Sequence, residues 1–284
     1  MKNIVTALSA LVTLFLFSCQ KEVSTEDPNA TPGGGGSTTS TKLTRVVTKA
    51  GSDSITTAFT YNSANRISKI TIDGASGGQK VDLRLTYERN AANIITKETY
   101  ESSSLAQYFI DKIETIHTYD AAASRYRHSV TKVNLGIVIV RDSVVYTYDG
   151  SGKLTSLNEF LDDGSGYEPY AKEEYTYSGS NVATTKFYGF DDQVNNYVLD
   201  ATETYEYDSK TNPVQFTADA IVLRTAISYA FFYSANNITK RTEVVTSPSA
   251  TNVTTTTYTY NSSNRPATST TTTGSGSRTS TYYY

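Results

Sequence analysis

Tyr146-Thr147-Tyr148-Asp149-Gly150-Ser151-Gly152-Lys153-Leu154 holds one complete instance of the pattern on which the chain is built. Residues two apart on a strand share a face, so Tyr146 and Tyr148 point one way and Thr147 the other. Asp149 to Gly152 is short and polar and ends in a residue that tolerates a left-handed backbone. A hairpin loop of four or five residues with a bulge requires that. Lys153-Leu154-Thr155-Ser156-Leu157 then leads away as an outgoing strand. The stretch predicts a strand end, a tight turn and the start of the antiparallel neighbour.

The same arrangement recurs eight times, as Phe59-Thr60-Tyr61-Asn62, Leu85-Thr86-Tyr87-Glu88, His117-Thr118-Tyr119-Asp120, Tyr146-Thr147-Tyr148-Asp149, Tyr175-Thr176-Tyr177-Ser178, Tyr205-Glu206-Tyr207-Asp208, Phe231-Phe232-Tyr233-Ser234 and Tyr258-Thr259-Tyr260-Asn261. The second tyrosines are separated by 26, 32, 29, 29, 30, 26 and 27 residues, the signature of internal repetition. Upstream alternation agrees: Leu83, Leu85 and Tyr87 are expected inward, with Asp82, Arg84 and Thr86 outward. Asn65, Gly152, Asn181, Asn212, Asn237 and Asn264 are the residues expected to take the left-handed turn position. The three-residue step from Ile67 to Ile70, and from Leu154 to Leu157, breaks strict alternation. A bulge beside the loop is expected to bring both members inward. Loops at the opposite ends of the hairpins vary in length and composition. Two adjacent units, around Phe160–Tyr175 and Phe190–Tyr205, are close copies.

Tyr-x-Tyr-Asp-x-x-Gly-Lys-Leu resembles the YD repeat of RHS-type proteins. With the N-terminal features below, the chain is similar to Bacteroidota surface lipoproteins of unknown function that carry degenerate repeats of this kind. The resemblance covers roughly residues 43–284 and implies a porin-like β-meander, with no catalytic residues attached. Eight two-strand units and the closing Ser280-Thr281-Tyr282-Tyr283-Tyr284 give an all-β, antiparallel up-and-down meander of about 16–18 strands, closed or flattened into a barrel. Closure removes the unpaired edges. A round barrel of that size is too wide for side chains to fill, so it must be hollow, plugged or flattened.

Residues 1–18 read as a lipoprotein signal peptide: Lys2 is followed by an uncharged apolar run from Ile4 to Phe17, shorter than the roughly 20 residues of a membrane span. Leu16-Phe17-Ser18-Cys19 resembles the bacterial lipobox, which makes Cys19, the only cysteine, the expected lipidation site and membrane anchor. Gln20-Lys21-Glu22 resembles the signal that directs Bacteroidota lipoproteins to the outer face of the outer membrane, the alternative being a periplasm-facing anchor. Residues 19–42, rich in Ser, Thr, Pro and Gly, form the expected flexible tether, and residues 43–284 the Tyr-rich repeat domain.

A formal net charge of −3 with interspersed signs offers no basic stripe, which argues against nucleic acid as a partner. Outward strand positions are polar or charged, as in Asp82/Arg84/Thr86, and do not suit a lipid-facing band. Of the two histidines, His117 occupies an aromatic slot and reads as a strand histidine, and no nucleophile-elbow motif accompanies it. Asp162/Asp163 and Asp191/Asp192 are the carboxylate pairs that bear on calcium binding or on acid–base hydrolysis of a glycan. Neither has EF-hand spacing, so both read as solvated loop residues and only weak metal candidates. No catalytic residue or cofactor is expected. The sequence points to a non-catalytic binding or scaffold module that contacts glycan or an envelope protein. Alternatives are a carrier of a small apolar ligand in a Tyr-lined lumen, or a carboxylate-dependent glycan hydrolase.

Overall fold

The computed structural model describes residues 42–108, 110–134, 139–225 and 227–284. The signal segment, Cys19 and the tether up to residue 41 lie outside the described residues. Among the described residues there are sixteen strands. The first eight are β1 (Arg45–Ala50), β2 (Asp53–Tyr61), β3 (Ile67–Ser76), β4 (Gln79–Arg89), β5 (Ile95–Ser102), β6 (Ile113–Asp120), β7 (Arg125–Asn134) and β8 (Ile139–Tyr148). The rest are β9 (Leu154–Asp162), β10 (Glu168–Ser178), β11 (Asn181–Asp191), β12 (Asn196–Thr211), β13 (Asn236–Val245), β14 (Ala250–Tyr260), β15 (Pro266–Thr273) and β16 (Gly276–Tyr283). Each strand pairs with its neighbours in sequence, and β1 pairs with β16, closing an up-and-down antiparallel barrel.

At the short-turn end the hairpins share one local design. The pairing register slips by one residue beside the turn, at Thr60/Tyr61, Thr147/Tyr148, Thr176/Tyr177 and Thr259/Tyr260 among others. The extra residue turns the side chain that follows, so Ile67 (1% exposed) and Ile70 (0%) are both inside, as are Leu154 (1%) and Leu157 (0%). The turn closes through an Asn or Asp side chain. Asp149 Oδ1 accepts the Ser151 and Lys153 amides at 2.8 and 2.9 Å, and Asn261 Oδ1 accepts those of Ser263 and Arg265 at 3.0 and 3.1 Å. The second tyrosine then clasps the preceding hairpin. Tyr61, Tyr148, Tyr177 and Tyr207 hydroxyls donate to the carbonyls of Leu43, Tyr126, Leu154 and Val182 at 2.6–2.8 Å. Phenylalanine could fill the space but not the hydrogen bond, which accounts for the excess of tyrosine at these positions.

Three details differ from the sequence reading. In the second unit the register slip falls at Glu88/Arg89, so the tyrosine-clasp position is Arg89, not Tyr87. Arg89 Nε and Nη2 donate to the Ile67 carbonyl at 3.1 and 2.9 Å, the bond a phenol makes elsewhere. The turn then runs from Asn90 to Asn93, which has φ 61°. Asn65, Asn264 and Gly152 do take left-handed backbone, but Asn181, Asn212 and Asn237 do not; Gly179 supplies that conformation before β11. Finally, Phe231-Phe232-Tyr233-Ser234 is no strand. Tyr229-Ala230-Phe231-Phe232-Tyr233 has no polar residue to face water at alternate positions, so a strand there would expose apolar side chains. It forms a helix instead.

That helix belongs to an insert between β12 and β13 containing α1 (Ala220–Leu223) and α2 (Tyr229–Tyr233). Its apolar residues join the same buried cluster as Ile67, Ile95, Leu154 and Val182, the first inward residues after four short turns. Tyr229 and Tyr233 pack on Tyr175 and Tyr177, and Phe216 on Tyr61. The insert is a plug that fills the short-turn end of the lumen. Tyr282 and Tyr284, on the last strand and just beyond it, take the place of the eighth strand motif; Tyr284 donates to the Pro266 carbonyl at 3.0 Å. Outside, charges sit along the strands as cross-strand and same-strand pairs, Lys172–Glu174 at 2.7 Å and Lys240–Glu206 at 2.8 Å among them. Among the described residues, no helix is long and apolar enough to cross a membrane.

Candidate functional site

Beyond the plug the barrel is hollow, with a cavity of about 1480 Å³. Its lining runs from Tyr229 and Ala230 of the plug, past mid-strand side chains, to the variable hairpins at Ala75–Ser76 and 274–277. The lumen therefore reaches the rim formed by the variable loops. Strand alternation decides what lines it: Glu98 and Tyr100, Glu173 and Tyr175, and Glu203 and Tyr205 are two apart and share the inward face.

The wall is acidic. Of the charged residues that line the cavity, eight are Asp or Glu and four are Lys or Arg. Arg224, at the end of α1, is surrounded by carboxylates and phenols. Its Nη1 lies 3.5 Å from Glu173 Oε1, and Glu173, Tyr146, Tyr175 and Glu159 outweigh its burial and keep it charged. On β13, Arg241 Nη1 reaches Glu203 Oε1 at 2.8 Å. The tyrosines two residues on close over these acids: the Tyr175 hydroxyl donates to Glu173 and that of Tyr205 to Glu203, the same contact in both duplicated units.

Other carboxyls lack such partners. Glu98, 3% exposed, accepts the Thr225 hydroxyl, at 2.9 Å to Oε1 and 3.0 Å to Oε2, and burial pushes its pKa up to about 7. Asp142 Oδ1 is shut off from solvent with no hydrogen-bond partner. Burial raises Asp142 well above the usual carboxylate range. It raises Glu159 too, helped by the facing charge of Asp142 and opposed by Arg224. Glu243 accepts Asn252 Nδ2 at 3.0 Å.

The loop carboxylates do a different job. Asp162 Oδ1 accepts the Gly164 and Gly166 amides at 2.8 and 3.0 Å, and Oδ2 meets Arg141 Nη1 at 3.1 Å; the amides first and Arg141 second hold its pKa low. Asp163 accepts the Ser165 hydroxyl at 2.9 Å, and Asp191 the Gln193 amide at 2.8 Å. Asp192 lines a shallow depression with Asp191 and Asp200. The two pairs sit on separate hairpins, where Asp162, Asp163 and Asp191 bond within their own turns. Among the described residues, no three His, Cys, Asp or Glu side chains gather as a metal site would require. His117 is buried, with Nδ1 2.7 Å from Ser129 Oγ, which in turn lies 2.7 Å from Tyr146 Oη. Burial, then the charge of Arg224, lowers its pKa to about 4. Neither His117 nor Ser129 lines the lumen.

Fold and lumen together define a closed, internally plugged up-and-down β-barrel with a charged outer wall and an acidic, tyrosine-lined interior. Its architecture is similar to two solved Bacteroides structures. One is a porin-like protein from Bacteroides uniformis ATCC 8492, 15% identical, with a TM-score of 0.52 over 86% of this chain and 96% of that one. The other is a porin-like protein from Bacteroides vulgatus ATCC 8482, 11% identical, with a TM-score of 0.53 over 86% and 99%. At such identities the likeness bears on the fold alone. No protein-family model and no curated protein matches the chain.

Proposed function

We propose that this chain is a non-catalytic binding module of the bacterial envelope. It is held at the outer membrane by lipid on Cys19, stands off on the tether, and takes its ligand in the barrel lumen from the variable-loop rim. The observation that carries this reading is the cavity of about 1480 Å³, plugged at one end and reaching the rim at the other. The outer wall supports anchoring over spanning. Arg84 on β4 and Lys172 on β10 hold outward mid-strand positions, paired with Glu101 and Glu174, and each such cation at mid-membrane would cost about 2–4 kcal/mol. Surface exposure follows from the export-signal resemblance at Gln20-Lys21-Glu22. The excess of inward carboxyls, eight Asp and Glu against four Lys and Arg, favours a ligand carrying positive charge over a wholly apolar cargo.

Two experiments test the two halves of this reading. Cells fed labelled palmitate should label the chain, and Cys19→Ala should abolish the label; a labelled variant would refute the anchor. Glycan arrays and pull-downs from intact envelopes should yield a ligand that the Ala201→Trp variant no longer holds, since Ala201 faces the cavity. Undiminished capture by that variant would move the site to the loops or outer wall. The absence of any ligand would sink the binding role.

A further inference from the structure

We propose that the lumen binds an organic polyamine, a flexible chain whose ammonium groups sit along a belt of inward carboxylates. The belt runs through Asp142 on β8, Glu159 on β9, Glu173 on β10, Glu203 on β12 and Glu243 on β13. This assignment rests on the lumen being the ligand site and names the chemistry that the site accepts.

The belt spans five strand-to-strand steps of about 4.8 Å each, or roughly 24 Å of curved wall. Registers place its members as near neighbours: Glu203 is directly opposite Glu243, while Ala171, two residues before Glu173, is opposite Glu159. Two cations answer them, Arg224 beside Glu173 and Arg241 beside Glu203, and among the described residues neither Asp142 nor Glu159 has an arginine in ion-pair contact. Asp142 supplies an independent sign of a missing partner, because its Oδ1 is sealed from solvent and accepts no hydrogen bond. A buried acceptor left unpaired costs about 1–3 kcal/mol, more when charged, and an ammonium group in the lumen beside the carboxylate would offset that cost electrostatically.

The distribution of the acids selects the kind of cation. A divalent metal needs ligands converging on one point, and no such group exists among the described residues. Charges strung along a wall instead suit a ligand whose own charges are strung along a chain. Tyr175, Tyr205 and Tyr258 also line the cavity, and their ring faces attract ammonium groups.

Binding must be coupled to protons. Glu159 faces Asp142, Glu173 and Arg224, while Asp142 faces Arg224 and Tyr146; burial keeps both carboxyls partly protonated near neutral pH. An ammonium group stabilises their ionised forms, so binding expels protons and tightens as pH rises.

Titration calorimetry of the full-length chain with spermidine tests this. The expected result is saturable binding near pH 8, at least about tenfold weaker near pH 5.5, with proton release shown by different heats in two buffers of unlike ionisation enthalpy. The Asp142→Asn/Glu159→Gln variant should lose at least about tenfold in affinity, and the outer-wall variant Glu101→Gln/Glu174→Gln should lose none. Magnesium binding as tightly as spermidine, equal losses from the two variants, or binding without proton release would overturn the proposal. The two-buffer comparison needs only the unmutated chain, so it decides the matter even if the lumen variant does not fold. If spermidine fails while another ligand is still displaced by Ala201→Trp, the lumen stands as the site and the polyamine assignment falls. If both fail, the lumen reading falls with it.

Discussion

Replacing Asp219 with alanine should cost about 3–5 kcal/mol of stability, because it strands a buried guanidinium. Arg89 and Asp219 are 6% and 8% exposed, and they meet at 2.8 Å (Nη2–Oδ2) and 3.3 Å (Nη1–Oδ1). The guanidinium also donates from Nε and Nη2 to Ile67 O and from Nη1 to Asn93 O. All five of its donors are thus placed, and two depend on Asp219. The pair also ties the barrel to its plug, since Arg89 ends β4 and Asp219 immediately precedes α1. Urea unfolding should therefore show the loss, and hydrogen exchange should show residues 212–225 and 227–235 opening before the strands. The double variant Arg89→Tyr/Asp219→Leu should lose less than Asp219→Ala, because tyrosine fills this position in the other hairpins and no charge is left unpaired. A loss below about 1 kcal/mol for Asp219→Ala would mean that the pair behaves as an exposed one and that the plug is held by its apolar contacts alone.

Arg89 also shows where the repeat stops being readable. Strand number, up-and-down order, the inward turn of Ile67 with Ile70 and the hairpin turns all follow from period-two alternation and turn chemistry, both local. Leu85-Thr86-Tyr87 satisfies that local pattern while the bulge, set by pairing with β5, falls two residues later. Only then does the clasp position stand 28 and 30 residues from its neighbours at 61 and 119. The plug escaped for a related reason: Phe231-Phe232-Tyr233 matches the motif by residue type, and only the missing outward polar residues mark it as interior. The inward acids were the most accessible of the missed features. Glu98, Glu173 and Glu203 each precede an inward tyrosine by two, which fixes their face without any structure. Nothing local reveals whether an inward position meets a packed core or a hollow one. That depends on how many strands close the ring and on what the plug leaves empty.

Four buried acids, Glu98, Asp142, Glu159 and Glu203, should make the protein less stable as pH rises from about 5 to 8, which is the reverse of an ordinary carboxylate-rich fold. Burial pushes Glu98 up to about 7 in the folded barrel, and likewise raises Asp142, Glu159 and Glu203. In the unfolded chain these groups return to ordinary values near 4, so between the two ranges the folded state holds more protons than the unfolded one. Stability then falls with pH, being full below the unfolded values and lost as each folded value is passed. At about 1.4 kcal/mol per pKa unit, the summed loss is on the order of a few kcal/mol. His117 opposes this. Its folded value near 4 lies below that of a free histidine, so its contribution is lost as pH falls from about 6.5 to 4. One imidazole does not offset four carboxyls. Below pH 4, Asp162 acts in the ordinary direction, because protonation breaks its bonds to the Gly164 and Gly166 amides and to Arg141. The stability maximum should therefore lie near pH 5. Urea midpoints at pH 5, 6, 7 and 8 should decline in order. Glu98→Gln keeps an oxygen for the Thr225 hydroxyl without the ionisation, so it should flatten the decline and raise the midpoint at pH 8. A midpoint that is flat or rising across that range would show that the lumen carboxyls are hydrated and ionised in the folded barrel. The acidic wall would then hold its charges by solvent and not by burial.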